Sequence, residues 1–125
     1  MATSLSESCE ATLTIGRRKY YGSTGMTHGH AEMDALHQFI EAEGGAANAA
    51  VMLSGPFRKL VLCPSRAVCL KCTAVLQQLD FKLEGDTEWG DRTAGKTEWG
   101  VSLQVQDLFR RLEIDYESIK SLKNQ

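Results

Sequence analysis

The pattern of hydrophobic and polar positions changes period along the chain, and each change marks a predicted element. The segment ATLTIGRRKYYG combines β-branched and aromatic residues with a turn at 16–18, which predicts two short strands. From His30 onward, Met33, Leu36 and Ile40 recur at helical spacing, so we predict a helix over about 31–43 that ends at Gly44-Gly45. The following AANAAVMLSGPF is compatible with a loop or with one or two helical turns.

The second half of the chain continues with a short apolar run and two more helical patterns. RKLVLC predicts a buried strand, and the apolar spacing after it predicts a helix over about 69–80. The tetrapeptide TEWG occurs at 87–90 and again at 97–100, which predicts a twisted hairpin or a structured loop. Apolar residues then mark a C-terminal helix: Val101, Val105, Leu108, Phe109 and Leu112. The final EIDYESIKSLKNQ fits either an extension of that helix or an edge strand.

Helices that alternate with strands predict an α/β fold in which helices cover a sheet. At 125 residues the chain is expected to form one domain over 1–125, with a flexible segment at 1–10. No apolar run approaches the roughly 18 residues of a membrane span, so no membrane association is expected. The N-terminus lacks the basic and apolar regions of a secretory signal, which favours a reducing cytoplasmic location unless export uses another route.

The distribution of charge gives a weak indication of the kind of substrate. The net charge of −2 argues against general attraction to nucleic acid. Basic residues nevertheless cluster at 17–19 and on both sides of the cysteine-rich stretch, at Arg58, Lys59, Arg66 and Lys71. These are interpreted as solvated strand ends, and the alternative is local attraction for a phosphate-bearing substrate.

The stretch CPSRAVCLKC at 63–72 holds three of the four cysteines. Cys69 and Cys72 lie three apart in the first turn of a predicted helix, so both thiols can reach one ion over the helix end. His30 begins the preceding predicted helix, and one histidine with two cysteines is the ligand pattern of a catalytic zinc site. The alternatives are a CxxC redox pair and half of a structural zinc site. Cys63, which ends a strand, is predicted to be a buried small hydrophobe, and residues 64–68 a turn.

Glu32 lies two residues after His30, where a carboxylate could move protons for a zinc-bound water. HAE followed by a strand and then CxxC resembles the zinc-dependent cytidine deaminase superfamily, over about residues 11–80. The resemblance implies one zinc ion per chain, held by His30, Cys69 and Cys72, with Glu32 as the catalytic proton shuttle. It also implies a three-layer α/β/α sandwich with a mixed sheet of about five strands. The YYGSTG segment resembles bacterial toxin-type members.

The sequence departs from the family pattern beside the first ligand cysteine. Val68 stands where the family has proline, and Ala67 stands where a glutamate is common. We therefore expect the substrate pocket to differ most at this turn. The candidate substrate-binding residues are Ala31, His28, Ser65, Trp89 and Trp99. For the two tryptophans, packing on the rim of the core is favoured over stacking on a base.

These observations predict a hydrolase that deaminates cytosine or a related amino-bearing nucleobase. The substrate could be a free base or nucleoside, or single-stranded nucleic acid as in the toxin-type branch. The region before His30 lacks the substrate-binding asparagine common in small-molecule members, which weighs mildly against that branch. An alternative of another class is a non-catalytic zinc-binding module that acts through a partner. Relatives are often oligomers, so a homo-oligomer is possible.

Overall fold

The computed structural model describes residues 10–23, 30–54, 58–63, 67–85, 87–90 and 99–122. Strands β1 (Glu10–Ile15) and β2 (Arg18–Ser23) form the predicted antiparallel hairpin. Its turn uses Gly16 at a φ of 65°, a left-handed conformation that glycine adopts without steric cost. Alternate residues of β1 are buried, namely Ala11, Leu13 and Ile15, so one face of the hairpin contributes to the core.

Six strands form two sheets in the described part of the chain. Strand β3 (Arg58–Cys63), predicted from the RKLVLC run, pairs with β1 antiparallel, and β5 (Lys82–Leu83) pairs with β3 in parallel. The order of this mixed sheet is β2-β1-β3-β5. The second sheet joins β4 (Ala67–Val68) to β6 (Glu88–Trp89) in parallel. The predicted turn over 64–68 is therefore wrong at its last two residues, which form a strand, and residues 64–66 lie outside the described ranges.

The described residues include five helices: α1 (Ala31–Ala42), α2 (Ala46–Met52), α3 (Leu70–Gln78), α4 (Leu103–Arg111) and α5 (Tyr116–Lys120). The predicted helices over about 31–43 and 69–80 correspond to α1 and α3. The ambiguous alanine-rich segment contains α2. The uncertain C-terminal segment forms α5 rather than an edge strand, because Asp115 caps it by accepting a hydrogen bond from the Ser118 backbone N–H. The mixed α/β class is confirmed, while the three-layer arrangement with about five strands stays a prediction.

Helix α1 packs on the hairpin through a close approach at one glycine. A Cβ atom on Gly22 would lie 2.3 Å from the carbonyl oxygen of Ala31 and 2.3 Å from the backbone nitrogen of Ala35. Only a residue without a side chain lets β2 come this near to the first turns of α1. The buried face of the helix continues through Met33, Leu36, Phe39 and Ile40. The start of α1 is thereby held firmly against the sheet.

The basic residues of the hairpin gather at the opposite end of α1. Arg18 pairs with Glu43 at 3.1 Å, and the Tyr20 hydroxyl donates to the same carboxylate at 2.6 Å. Because α1 has 12 residues, this end lies about 18 Å from its first residue. Arg58 faces Ile15 in the sheet register and so begins β3 at the same end. The phosphate-attraction interpretation of these residues is therefore not supported for a site at the start of α1.

Among the described residues, no helix has the combination of length and apolar character needed to cross a membrane.

Replacing Gly22 with alanine should destabilise the fold, because the added Cβ meets backbone atoms that cannot rotate away. We expect Gly22→Ala to lower the free energy of unfolding by about 2 kcal/mol or more, the usual cost of overpacking. Gly100→Ala is the matched control, since the nearest atom to its added Cβ is the Tyr116 hydroxyl at 3.9 Å. Urea denaturation measures both variants, and equal stabilities would contradict the close approach.

The hydroxyl of Tyr20 should lose its proton only at unusually high pH. Burial, together with the hydrogen bond to Glu43, raises its pKa from 10.0 to about 12. Because the folded-state pKa is above the unfolded one, the stabilisation is complete below about pH 10 and is lost as the pH rises towards 12. Ultraviolet titration of phenolate absorbance should show a component near pH 12 that disappears in Tyr20→Phe. A component that persists in that variant would refute this assignment.

Candidate metal centre

Two helices begin at the residues that the sequence analysis selected as ligands. His30 is the N-cap of α1, with φ −70° and ψ 157°, and Cys69 is the N-cap of α3, with φ −68° and ψ 161°. Both residues have the extended backbone typical of an N-cap, which turns their side chains across the helix end. The backbone N–H groups in the first turn of each helix lack partners within the helix, and the helix dipole is positive there. Both helix starts therefore favour anionic side chains at the same place.

The three predicted ligands lie close together. Nδ1 of His30 is 3.3 Å from Sγ of Cys69 and 3.7 Å from Sγ of Cys72. One ligand atom from each residue can be chosen so that all lie within 4.8 Å of one another. Tetrahedral zinc with its usual bond lengths would hold nitrogen and sulfur ligands roughly 3.5 Å apart. The group could therefore hold a metal ion, and one imidazole with two thiols is a donor set that zinc accepts.

The two thiols differ sharply in their environment. The pKa of Cys69 is lowered from 9.0 to about 4, mainly because its sulfur accepts a hydrogen bond from the Cys72 thiol. Burial acts in the opposite direction, and His30 lowers the pKa further. The backbone N–H of Cys72 also donates to Sγ of Cys69 at 3.5 Å. Burial raises the pKa of Cys72 well above its usual value, and the hydrogen bond to Cys69 and the charge of Glu32 act in the same direction. Cys69 is therefore the thiol that ionises first.

Glu32 is a buried carboxyl group at this site. It is the second residue of α1, only 4% of its surface is exposed, and its charge acts on Cys72. Burying a carboxylate is costly unless it is paired or hydrogen-bonded. An acidic side chain in the first turn is favoured by the helix dipole. The arrangement places a group that can accept and release a proton beside three potential ligands.

The two TEWG copies both contact the first turn of α3. In the first copy, Trp89 faces Val68 in the β4–β6 register, and the backbone N–H of Gly90 donates to Oγ1 of Thr73 at 3.3 Å. In the second copy, the indole N–H of Trp99 donates to Sγ of Cys72 at 3.3 Å. Neither contact was predicted from the sequence, although the repeated tetrapeptide is a signal that marks this segment. Residues 91–98, between the copies, lie outside the described ranges.

The remaining candidate site residues lie partly within the described ranges. Trp99 is buried, as the favoured packing interpretation expected, and Trp89 is half-buried. Ala31 is buried, with its carbonyl oxygen facing Gly22. His28, Ser65 and the side chain of Cys63 are outside the described residues, so their predicted roles stay predictions.

Two polar residues of α1 contact neighbouring elements. A carboxylate oxygen of Asp34 accepts a hydrogen bond from the Ser23 backbone N–H at 2.9 Å. Nδ1 of His37 lies 2.8 Å from the hydroxyl of Ser102, the N-cap of α4. Asp34 therefore ties α1 to the end of β2, and His37 ties it to the start of α4. Neither residue belongs to the group at His30.

Comparison with protein families, curated proteins and solved structures found no match to this chain.

Purified protein should bind about one zinc ion per chain, because the three donors form a single group. Loss of any ligand, in His30→Ala, Cys69→Ser or Cys72→Ser, should weaken zinc binding by at least about 100-fold, since even supporting residues contribute 10- to 100-fold. Competition titration with a chromophoric chelator measures the affinity, and Cys9→Ser is the control for loss of a cysteine that was not predicted to be a ligand.

Removal of zinc by a chelator should also lower the melting temperature, because metal binding stabilises the folded state. A wild-type protein that contains no metal, takes up none and melts identically with and without chelator would contradict the metal centre.

Proposed function

We propose that this chain is a zinc-dependent hydrolytic deaminase that acts on an amino-bearing nucleobase, with a cytosine-containing substrate favoured. One observation carries the proposal. His30, Cys69 and Cys72 converge at the starts of two helices, and the same first turn of α1 supplies Glu32, a buried carboxyl group. These three are the potential ligands among the described residues, and a zinc ion held by three ligands would keep a fourth position for water, as in a catalytic site.

The sequence resemblance to the cytidine deaminase superfamily supports the same conclusion. The HAE and CxxC motifs carry it, and both lie at helix starts, with His30 and Cys69 as the two N-caps. The described sheet β2-β1-β3-β5 is mixed, and α1 lies on its β1–β2 hairpin. The three-layer sandwich with about five strands is part of this proposal.

Hydrolytic deamination replaces an exocyclic amino group with oxygen from water and releases ammonia. A bound zinc ion supplies Lewis-acid chemistry that makes water nucleophilic at neutral pH. The chain's own contribution is proton transfer. Glu32 takes a proton from the attacking water, passes it to the ring nitrogen, and delivers the second proton to the departing amino group. The proposal is supported by the burial of Glu32 and by the effect of its charge on Cys72, which put this carboxyl group near the potential ligands.

The class of substrate follows less directly from the chain. The basic residues of the hairpin lie at the far end of α1, and Arg18 is paired there with Glu43. A long nucleic-acid footprint at the site would need several basic residues near it. Lys71, in the first turn of α3, lies there, whereas the basic residues of the hairpin do not. The remote position of the hairpin and the net charge of −2 favour a compact substrate such as a free base or a nucleoside. Single-stranded nucleic acid is the alternative within the same chemistry.

Two alternatives of another class use the same cysteines. A CxxC redox pair and a non-catalytic zinc module would both explain the closeness of Cys69 and Cys72. A redox pair does not explain why His30 approaches both thiols. A non-catalytic zinc module explains that approach but not the burial of Glu32 at the same site. Buried ionisable groups cluster at catalytic sites, where their desolvation serves proton transfer. The deaminase proposal accounts for all four residues.

A deamination panel tests the proposal. Zinc-loaded protein is incubated with cytosine, cytidine, adenine and guanine compounds, with single- and double-stranded DNA, and with RNA, and ammonia release is measured. We expect turnover of at least one cytosine-containing substrate. Glu32→Gln, which preserves the shape of the side chain, should reduce the rate by about 10²- to 10⁴-fold because the proton shuttle is lost.

Glu41→Gln is the matched control, since it makes the same substitution at an exposed position of the same helix. It should retain the wild-type rate. Both variants should keep their zinc, which separates loss of the shuttle from loss of the metal. Zinc-loaded Glu32→Gln that released ammonia as fast as wild type would refute the mechanism, and zinc binding with no turnover of any substrate in the panel would favour the non-catalytic module.

A further inference from the structure

The second copy of the TEWG repeat contacts a predicted ligand, although the proposed chemistry does not use the repeat. The indole N–H of Trp99 points at Sγ of Cys72, with 3.3 Å between nitrogen and sulfur. Cys72 is fully buried, and 6% of the Trp99 surface is exposed. The contact is therefore shielded from water, which strengthens a hydrogen bond electrostatically.

The ring of Trp99 is held in place by residues from α3 and α5. Tyr116 packs against it, with 5.7 Å between ring centroids and an angle of 34° between the planes. The ammonium group of Lys71 lies 6.0 Å from the Trp99 ring and donates a hydrogen bond to the Lys120 carbonyl oxygen at 2.6 Å. Lys71 thus connects α5 to the first turn of α3. The indole is oriented by packing on several sides and not by its own backbone alone.

Such a donor has a specific consequence at a metal-bound thiolate. A hydrogen bond to sulfur draws electron density from it, so the sulfur donates less to the metal and the metal remains a stronger Lewis acid. The same bond fixes the direction in which the sulfur lone pairs point. Groups that contact metal ligands in this way commonly tune both affinity and reactivity.

We propose that Trp99 is a positioning residue of the zinc site, whose indole N–H orients the Cys72 thiolate and limits its electron donation to the metal. The inference rests on the zinc site of the proposed function but not on the identity of its substrate. It gives the second TEWG copy a role distinct from that of the first, which contacts Thr73 through the Gly90 backbone.

Trp99→Phe removes the N–H donor and keeps an aromatic ring against Tyr116. We expect this variant to bind zinc about 10- to 100-fold more weakly than wild type, because the loss of a fixed sulfur orientation outweighs the stronger electron donation of the freed sulfur. In the cobalt-substituted protein, the visible bands of tetrahedral cobalt should persist. The thiolate-to-cobalt charge-transfer band should move to longer wavelength, because the sulfur becomes more electron-rich. Trp89→Phe is the matched control, with the same substitution in the same tetrapeptide, and should leave both measurements unchanged.

A second measurement separates the N–H group from the bulk of the ring. In a Trp89→Phe background, Trp99 is the only tryptophan, and biosynthetic incorporation of benzothienylalanine replaces its N–H with sulfur at nearly constant shape. The same band shift and loss of affinity are expected in this protein. This arm also decides the question if Trp99→Phe fails to fold.

Unchanged zinc affinity and an unchanged cobalt spectrum in the benzothienylalanine protein would overturn the inference while leaving the proposed function intact. A wild-type protein that bound neither zinc nor cobalt would overturn both. Normal zinc binding and the expected spectral shift, in a protein inactive on every substrate of the panel, would support the role of Trp99 and count against the deaminase alone.

Discussion

The starts of α1 and α3 must be held within a few ångströms of each other, and the candidate site depends on this one constraint. His30 and Cys69 are 39 residues apart in the chain, yet their ligand atoms lie 3.3 Å apart. A slip of either helix by one turn, about 5.4 Å, would separate them completely. Gly22 holds α1 by letting β2 approach its first turns, and the β4–β6 pair and the TEWG contacts hold α3. The hairpin thus positions the start of α1, and the TEWG repeat positions the start of α3.

The distribution of buried polar groups points to the same place. Within the described ranges, the buried polar or charged residues are His30, Glu32, Thr73 and Thr87. The first two belong to the candidate site, and Thr73 accepts the Gly90 backbone N–H beside it. The rest of the core is built from aliphatic and aromatic side chains, which bury no charge. Burying a polar group costs free energy unless it is paired, so this junction is where the described core departs most from purely apolar packing.

The acidic side chains at this junction lie at the positive ends of two helix dipoles. Two helix N-termini, each with a positive dipole end, face two thiols and a carboxyl group. The dipoles favour the anionic forms, whereas burial and mutual repulsion oppose them, as the raised pKa of Cys72 shows. A divalent cation would relieve that repulsion by pairing with the anionic groups. The electrostatics of the helix starts thus agree with the donor chemistry of the three ligands.

Most of the regular elements could be predicted because their side-chain periods are local. The alternation in β1 and the i, i+3, i+4 spacing in α1 and α3 come from burying one face of each element, which the order of residues alone encodes. The strands β4, β5 and β6 could not be predicted in the same way. Each has two residues, too few to show a period, and each forms only because a distant segment supplies its backbone partner.

The amino-acid sequence by itself determined the types of the potential metal ligands, their spacing and their placement at helix starts. Motif spacing and helix capping involve residues three or four positions apart, so they can be recognised from the sequence without knowledge of the fold. Only the tertiary structure decided that Trp99 donates to Cys72 across 27 residues and that Gly22 seats the first turn of α1. It also decided that the basic hairpin lies away from the site, at the far end of α1. These relations arise from packing between segments remote in the chain, for which local composition carries no signal.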